Sequence, residues 1–176
     1  MLDFSQNHFE LFGLPVGFDI DTQRLAERYR DLQRVLHPDR FSQASGTERR
    51  LSMQATMRVN EAFETLRDPL ARALYLLSLK GLATEPAPPQ DSDFLMDQMI
   101  LREALAEARA NTRALAVVRR DLQQQLTTLT RQLASCFENS GETALTEART
   151  LVCKLQFLTK FRQDVDQAEA ALEEGT

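Results

Sequence analysis

Residues 21–66 read DTQRLAERYRDLQRVLHPDRFSQASGTERRLSMQATMRVNEAFETL, and the periodicity within this stretch decides the fold. Leu25, Tyr29, Leu32 and Leu36 recur at steps of three and four, which places them on one face of a helix. Leu51, Ala55, Val59, Ala62, Phe63 and Leu66 do the same in the second half. Asp21 is placed to cap the first of these helices with its carboxylate. Pro38 ends it, since proline has no amide N–H and disfavours helical geometry in the residue before it. After a polar loop through Ser45, Gly46 and Thr47 the second helix begins. Two helices with facing apolar stripes and one connecting turn make an antiparallel hairpin.

The same reading extends in both directions. Toward the N-terminus, Asn7 caps a short helix while Glu10 reaches back from three residues on, and Gly13 supplies a left-handed end. Pro15 and Gly17 form a loop. Toward the C-terminus, Asp68 and Pro69 are a cap and first-turn pair for a helix with Leu70, Ala73, Leu74 and Leu77 inward, closed by Gly81. Residues 82–93, LATEPAPPQDSD, carry three prolines and no period, and read as a linker. From Phe94 onward three further helices are expected, with breaks near Asn111 and at Asn139, Ser140 and Gly141. Leu115, Val118, Leu122, Leu126, Leu129 and Leu133 form one seam, and Ala148, Leu151, Leu155, Leu158 and Val165 another. Such seams suit an antiparallel bundle, with a dimeric coiled coil as the alternative. The expected architecture is all-α: a helical hairpin with short flanking helices over 1–81, the linker, and a three-helix bundle over 94–176.

Composition narrows the function classes. With 43% hydrophobic and 27% charged residues the 176-residue chain is an ordinary globular protein, long enough to bury a real core. A net charge of -5 disfavours nucleic acid as a partner unless positive charge is strongly clustered. No apolar run approaches the roughly 18 residues that would span a bilayer, and MLDFSQNHFE has no signal-peptide pattern. A cytoplasmic location and no membrane association are the expectation. Cys136 and Cys153 lack metal-ligand spacing and read as packing thiols, so no metal site and no cofactor are expected.

The turn of the hairpin concentrates chemistry. His37, Pro38 and Asp39 put an imidazole, a rigid bend and a carboxylate where no helix can bury them. Over residues 24–40, Arg24, Arg28, Arg30, Arg34 and Arg40 outnumber Glu27, Asp31 and Asp39. A cationic ridge beside an exposed turn favours fast, salt-sensitive association with an acidic surface. A solvated turn with Asp39 as a local cap is the plain alternative. A catalytic His37 and Asp39 pair is another, but no nucleophile or phosphate-cradling glycine loop completes a site, and no enzyme activity is expected.

Taken with HFELFGL at 8–14, and with Asn60, Ala62, Phe63 and Leu66 after the turn, this constellation resembles the J domain of co-chaperones. FGLP at 12–15, HPDRF at 37–41 and DPLARALYLL at 68–77 sharpen the likeness to the HscB family of bacterial type, and FLMDQMILREAL at 94–105 with KLQFL at 154–158 extends it over nearly the whole chain. The glycine/phenylalanine-rich and cysteine-rich regions of general J proteins do not follow the hairpin. The resemblance implies a J domain over 1–81. His37, Pro38 and Asp39, with Arg24, Arg28, Arg34 and Arg40, would dock on an HscA-type, DnaK-like chaperone ATPase.

The helix from Phe94 has a second apolar face. At about 100° per residue, with Leu95 at zero, Phe94, Leu101, Leu105 and Ala108 fall between about 220° and 280° and form the core stripe. Leu95, Met96, Met99, Ile100, Glu103 and Glu107 fall on the other side, between about 0° and 140°. A bundle helix needs one apolar arc, so a second one interleaved with acids suggests a surface for another protein. Phe157, off its own seam, is expected to enlarge it. The family resemblance implies that Leu95, Met96, Met99, Glu103, Glu107 and Phe157 bind IscU, the iron–sulfur cluster scaffold. Ile100 departs from the pattern, standing where relatives carry an acid. The implied activity is delivery of the scaffold to the chaperone with stimulation of its ATPase. A J protein for some other client would share the turn without needing this face.

Overall fold

A computed structural model describes residues 5–36, 45–82, 92–139 and 141–174. Every regular element among them is helical: α1 (His8–Leu11), α2 (Thr22–Leu36), α3 (Gly46–Arg67), α4 (Pro69–Leu79), α5 (Ser92–Ala108), α6 (Thr112–Glu138) and α7 (Glu142–Glu174). The chain divides into two compact units, Met1–Lys80 and Gly81–Thr176.

In the first unit the local signals act as expected. Asn7 and Glu10 form a reciprocal capping box on α1, and Gly13 follows with φ +62°, a conformation that favours glycine because it has no Cβ to clash. The Arg24 N–H donates to Asp21 Oδ1 at 2.9 Å, and the Ala71 N–H to Asp68 Oδ1 at 2.7 Å with Pro69 opening α4. Leu25 and Leu36 on α2 and Ala55, Val59, Ala62 and Leu66 on α3 are buried, while Tyr29, Leu32, Leu51 and Phe63 are half-buried. The hairpin core is completed from outside by Phe9, Phe12, Leu14 and Phe18, each worth about 1.5–3 kcal/mol when fully withdrawn from water.

Two boundaries differ from the sequence reading. Ser45 is no loop residue but the cap of α3, in a second capping box with Glu48, so Gly46 and Thr47 already belong to the helix. Ser92 and Asp93, read as linker, form the first turn of α5. Residues 83–91 of the linker lie outside the described residues. On α4, Leu76 and Ala73 are buried with Leu77, whereas Leu70 and Leu74 are half-buried. Arg72 is buried as well. Its guanidinium donates to the Leu66 carbonyl and lies 5.0 Å from the Phe18 ring centroid, so the charge is held where α3 ends and the loop after α1 crosses.

The second unit is a bundle of three helices in which α6 packs on both α5 and α7. Asn111 caps α6 by accepting from the Arg113 and Ala114 amides. Leu115, Leu122, Leu126 and Leu133 are buried along α6 and Ala148, Leu151, Leu155, Leu158 and Val165 along α7, with Val152 and Phe161 filling the seam beyond the expected set. Val118 and Leu129 are half-buried. Arg119 on α6 bridges to α7, pairing through Nε and a terminal nitrogen with both carboxylate oxygens of Glu169 and also reaching Asp166.

Candidate partner-binding faces

The first face is the α2 side of the hairpin. His37, Pro38, Asp39 and Arg40 lie outside the described residues. The structure describes the frame on either side of them. The Ser52 hydroxyl on α3 donates to the Leu36 carbonyl, 3.3 Å away and buried, at the last described residue of α2. Farther along the hairpin, Tyr29 stacks on Phe63 with ring centroids 4.0 Å apart and planes 15° from parallel. The Tyr29 hydroxyl donates to Asn60 Oδ1, and Gln33 Nε2 donates to both Tyr29 and Asn60. The hairpin register is therefore fixed by packing and by side-chain hydrogen bonds together. Arg24, Arg28, Arg30 and Arg34 are all exposed on α2, with Arg34 paired to Asp31 at 3.2 Å and Arg30 Nε donating to the Ala26 carbonyl.

The second face is on α5. Phe94, Leu105 and Ala108 are buried and Leu101 half-buried, as the core stripe requires. Leu95, Met96, Met99 and Ile100 are exposed by 52%, 58%, 64% and 55% of their surface. Four adjacent large apolar side chains more than half in water are costly to leave uncovered, which makes this face a candidate contact surface. Glu103 and Glu107, both exposed, border it. Methionine suits such a surface because its unbranched, polarizable side chain adapts to the shape of what it meets.

Phe157 is half-buried instead of standing free beside this face. Its ring meets Phe94 edge-on at 5.7 Å, stacks on Phe161 at 6.0 Å and carries the Arg102 guanidinium 5.4 Å from its centroid. Lys154 on α7 lies in turn 5.3 Å from the Phe94 ring. Sequence reasoning missed this crossed pair of cation and ring contacts between α5 and α7. Neighbouring basic and aromatic residues in both helices were the available signal, but only packing shows which ring meets which charge.

Among the described residues no group of three or more His, Cys, Asp and Glu side chains is gathered to hold a metal, and no helix is long and apolar enough to cross a membrane. Cys136 is buried and Cys153 half-buried, and burial pushes both thiols up from their ordinary pKa, which suppresses thiolate reactivity.

A family model described as the HscB C-terminal oligomerisation domain matches residues 90–166. The co-chaperone protein HscB homolog of Shewanella loihica is 40% identical over 171 residues, spanning 94% of this chain and 99% of that protein. Among solved structures, the chaperone HscB from Vibrio cholerae is similar with a TM-score of 0.85 and 35% identity over 95% of this chain and 99% of that one. The human co-chaperone protein HscB is similar with a TM-score of 0.88 and 32% identity over 96% and 84% of the two chains.

Proposed function

Because this chain belongs to the HscB family of co-chaperones, we propose that it delivers an IscU-type iron–sulfur scaffold protein to an HscA-type, DnaK-like chaperone in the cytoplasm. There it stimulates the chaperone's ATPase and so promotes cluster assembly or transfer. His37, Pro38 and Asp39, with Arg24, Arg28, Arg34 and Arg40, engage the chaperone. Leu95, Met96, Met99, Ile100, Glu103, Glu107 and Phe157 hold the scaffold. The cluster is the scaffold's cargo, and ATP hydrolysis belongs to the chaperone. The chain's own part is recognition at two ends and the raised local concentration that tethering produces.

The observation that carries this reading is the exposure of Leu95, Met96, Met99 and Ile100 on the face of α5 opposite its buried stripe. A J protein for some other client would not need that face. Chaperone ATPase turnover, measured with scaffold alone, with this chain alone and with both, tests the proposal. Turnover with both should exceed turnover with either, and no stimulation beyond scaffold alone contradicts it.

A further inference from the structure

The chain has five methionines, and the four among the described residues all stand in water. Met53 and Met57 on α3 are exposed by 64% and 69%, Met96 and Met99 on α5 by 58% and 64%. The buried apolar core among the described residues is leucine, phenylalanine, valine and alanine, with Cys136. No described methionine therefore fills a core gap, and each thioether is open to small solutes. The α5 face does not need sulfur for its hydrophobicity either, since Leu95 and Ile100 supply apolar surface without it. The two thiols are better protected. Cys136 is buried and Cys153 half-buried, and burial holds both away from the thiolate form that peroxides attack. A thioether has no proton to lose, so its reaction needs only access.

We propose that Met96 and Met99 form a reversible oxidation site, at which hydrogen peroxide switches the α5 face from binding the scaffold to rejecting it. The inference rests on the reading of α5 as the scaffold-binding face. A sulfur lone pair attacks one peroxide oxygen, and the S–O bond forms as the O–O bond breaks. The other oxygen leaves as water, taking the proton that the first one sheds. Sulfur loses two electrons and the peroxide gains them. The product sulfoxide is polar, and its oxygen is an acceptor that must give up water when an apolar partner closes over it. A sulfoxide reductase drawing on two thiols removes that oxygen as water, leaves a disulfide and restores the thioether. Met53 and Met57 lie on α3, outside the α5 face, and their oxidation leaves scaffold binding untouched.

The test uses the full chain as wild type, Met53→Leu/Met57→Leu and Met96→Leu/Met99→Leu. Each is titrated with the IscU-type scaffold by calorimetry before and after hydrogen peroxide, which is removed before the scaffold is added. Peptide mass mapping locates the added oxygens, and circular dichroism follows the helices. Peroxide should oxidise Met96 and Met99 and weaken wild-type affinity about tenfold or more, the loss expected of acceptors desolvated without donors. Methionine sulfoxide reductases of both stereospecificities should restore it. Met53→Leu/Met57→Leu should match the wild type in both states. Met96→Leu/Met99→Leu should bind equally before and after peroxide, whatever its starting affinity. Wild type that keeps its affinity with Met96 and Met99 oxidised overturns the proposal, as does peroxide that spares these two while oxidising Met53 and Met57. A loss that persists in Met96→Leu/Met99→Leu, or that comes with loss of helix, overturns it too. Failure of the untreated wild type to bind scaffold overturns the assignment of the face instead.

Discussion

The Ser52 hydroxyl donates to the main-chain carbonyl of Leu36 across 3.3 Å, a buried bond that ties the loop end of α3 to α2 immediately before His37. The bond joins the last described residue of α2 to the second turn of α3. Ser52→Ala leaves that carbonyl without its partner, at a cost of about 1 kcal/mol. Denaturant unfolding followed by tyrosine emission measures it, since Tyr29 and Tyr75 are the only tyrosines and both lie in the first unit. The same variant should stimulate the chaperone less well while binding the scaffold as the wild type does. An unfolding midpoint unchanged by the substitution contradicts the role given to this bond.

Acid should weaken the first unit through His8. This imidazole is buried and stacks on Tyr75 at 4.2 Å, and its Nδ1 has no hydrogen-bond partner. Burial, followed by the nearby Arg58 charge, holds its pKa below the ordinary histidine value, with Glu61 opposing in part. In the unfolded chain a histidine takes up a proton near pH 6.5, which the folded His8 resists. The unfolded state then binds more protons, so this contribution to stability is present above about pH 6.5 and is lost as pH falls below it. His8→Phe keeps a ring against Tyr75 and removes the titration. Between pH 7.5 and 5.5 the wild type should lose more stability than His8→Phe by tyrosine-detected unfolding, and parallel profiles contradict the assignment.

Arg119 joins α6 to α7 through Glu169 and Asp166, and these carboxylates hold its guanidinium pKa above the ordinary arginine value. All three groups are partly in water, so the network stabilises the bundle by no more than about 1 kcal/mol. Arg119→Gln should lower the thermal midpoint of the second unit by a few degrees at low salt. The difference should shrink in part in 1 M salt, because Arg119 and Asp166 are about half in water and salt weakens ion pairs that are exposed. A penalty independent of salt would mean that Arg119 acts through packing of its stem.

What the sequence disclosed follows from the range of the interactions concerned. The caps at Asn7, Asp21 and Asp68 were legible because each side chain serves an amide three residues away, whereas Asn111 read only as a break and the structure makes it a cap. Ser45 carries the same signature with Glu48 three residues on, but Gly46 and Thr47 read as loop residues and masked it. Most of the buried seams of α6 and α7 follow from period alone, though Val118 and Leu129 are only half-buried and Val152 and Phe161 join the core unexpected. Arg72 was not legible as a core residue, because its burial depends on the Leu66 carbonyl and the Phe18 ring, which the tertiary fold brings to it. Phe157 shows the same limit at the candidate site. Its angle on α7 said that it leaves the seam, and only the fold shows that Phe94, Phe161 and Arg102 receive it. The α5 face was legible because two apolar arcs on one helix exceed what a bundle can bury.

On the proposed function one chain addresses two proteins through two separate surfaces. Chaperone ATPase turnover in the presence of scaffold, compared for wild type, His37→Gln and the Leu95→Ala/Met99→Ala double variant, tests it most directly, with scaffold affinity measured alongside. Leu95 and Met99 are exposed, so their truncation should leave folding stability within about 0.5 kcal/mol. His37→Gln should abolish stimulation and leave scaffold affinity unchanged. The double variant should lose scaffold affinity and the synergy between scaffold and co-chaperone, while still stimulating the chaperone when no scaffold is present. If the double variant keeps full scaffold affinity and full synergy, the α5 face is not the scaffold site and the two-ended account is wrong.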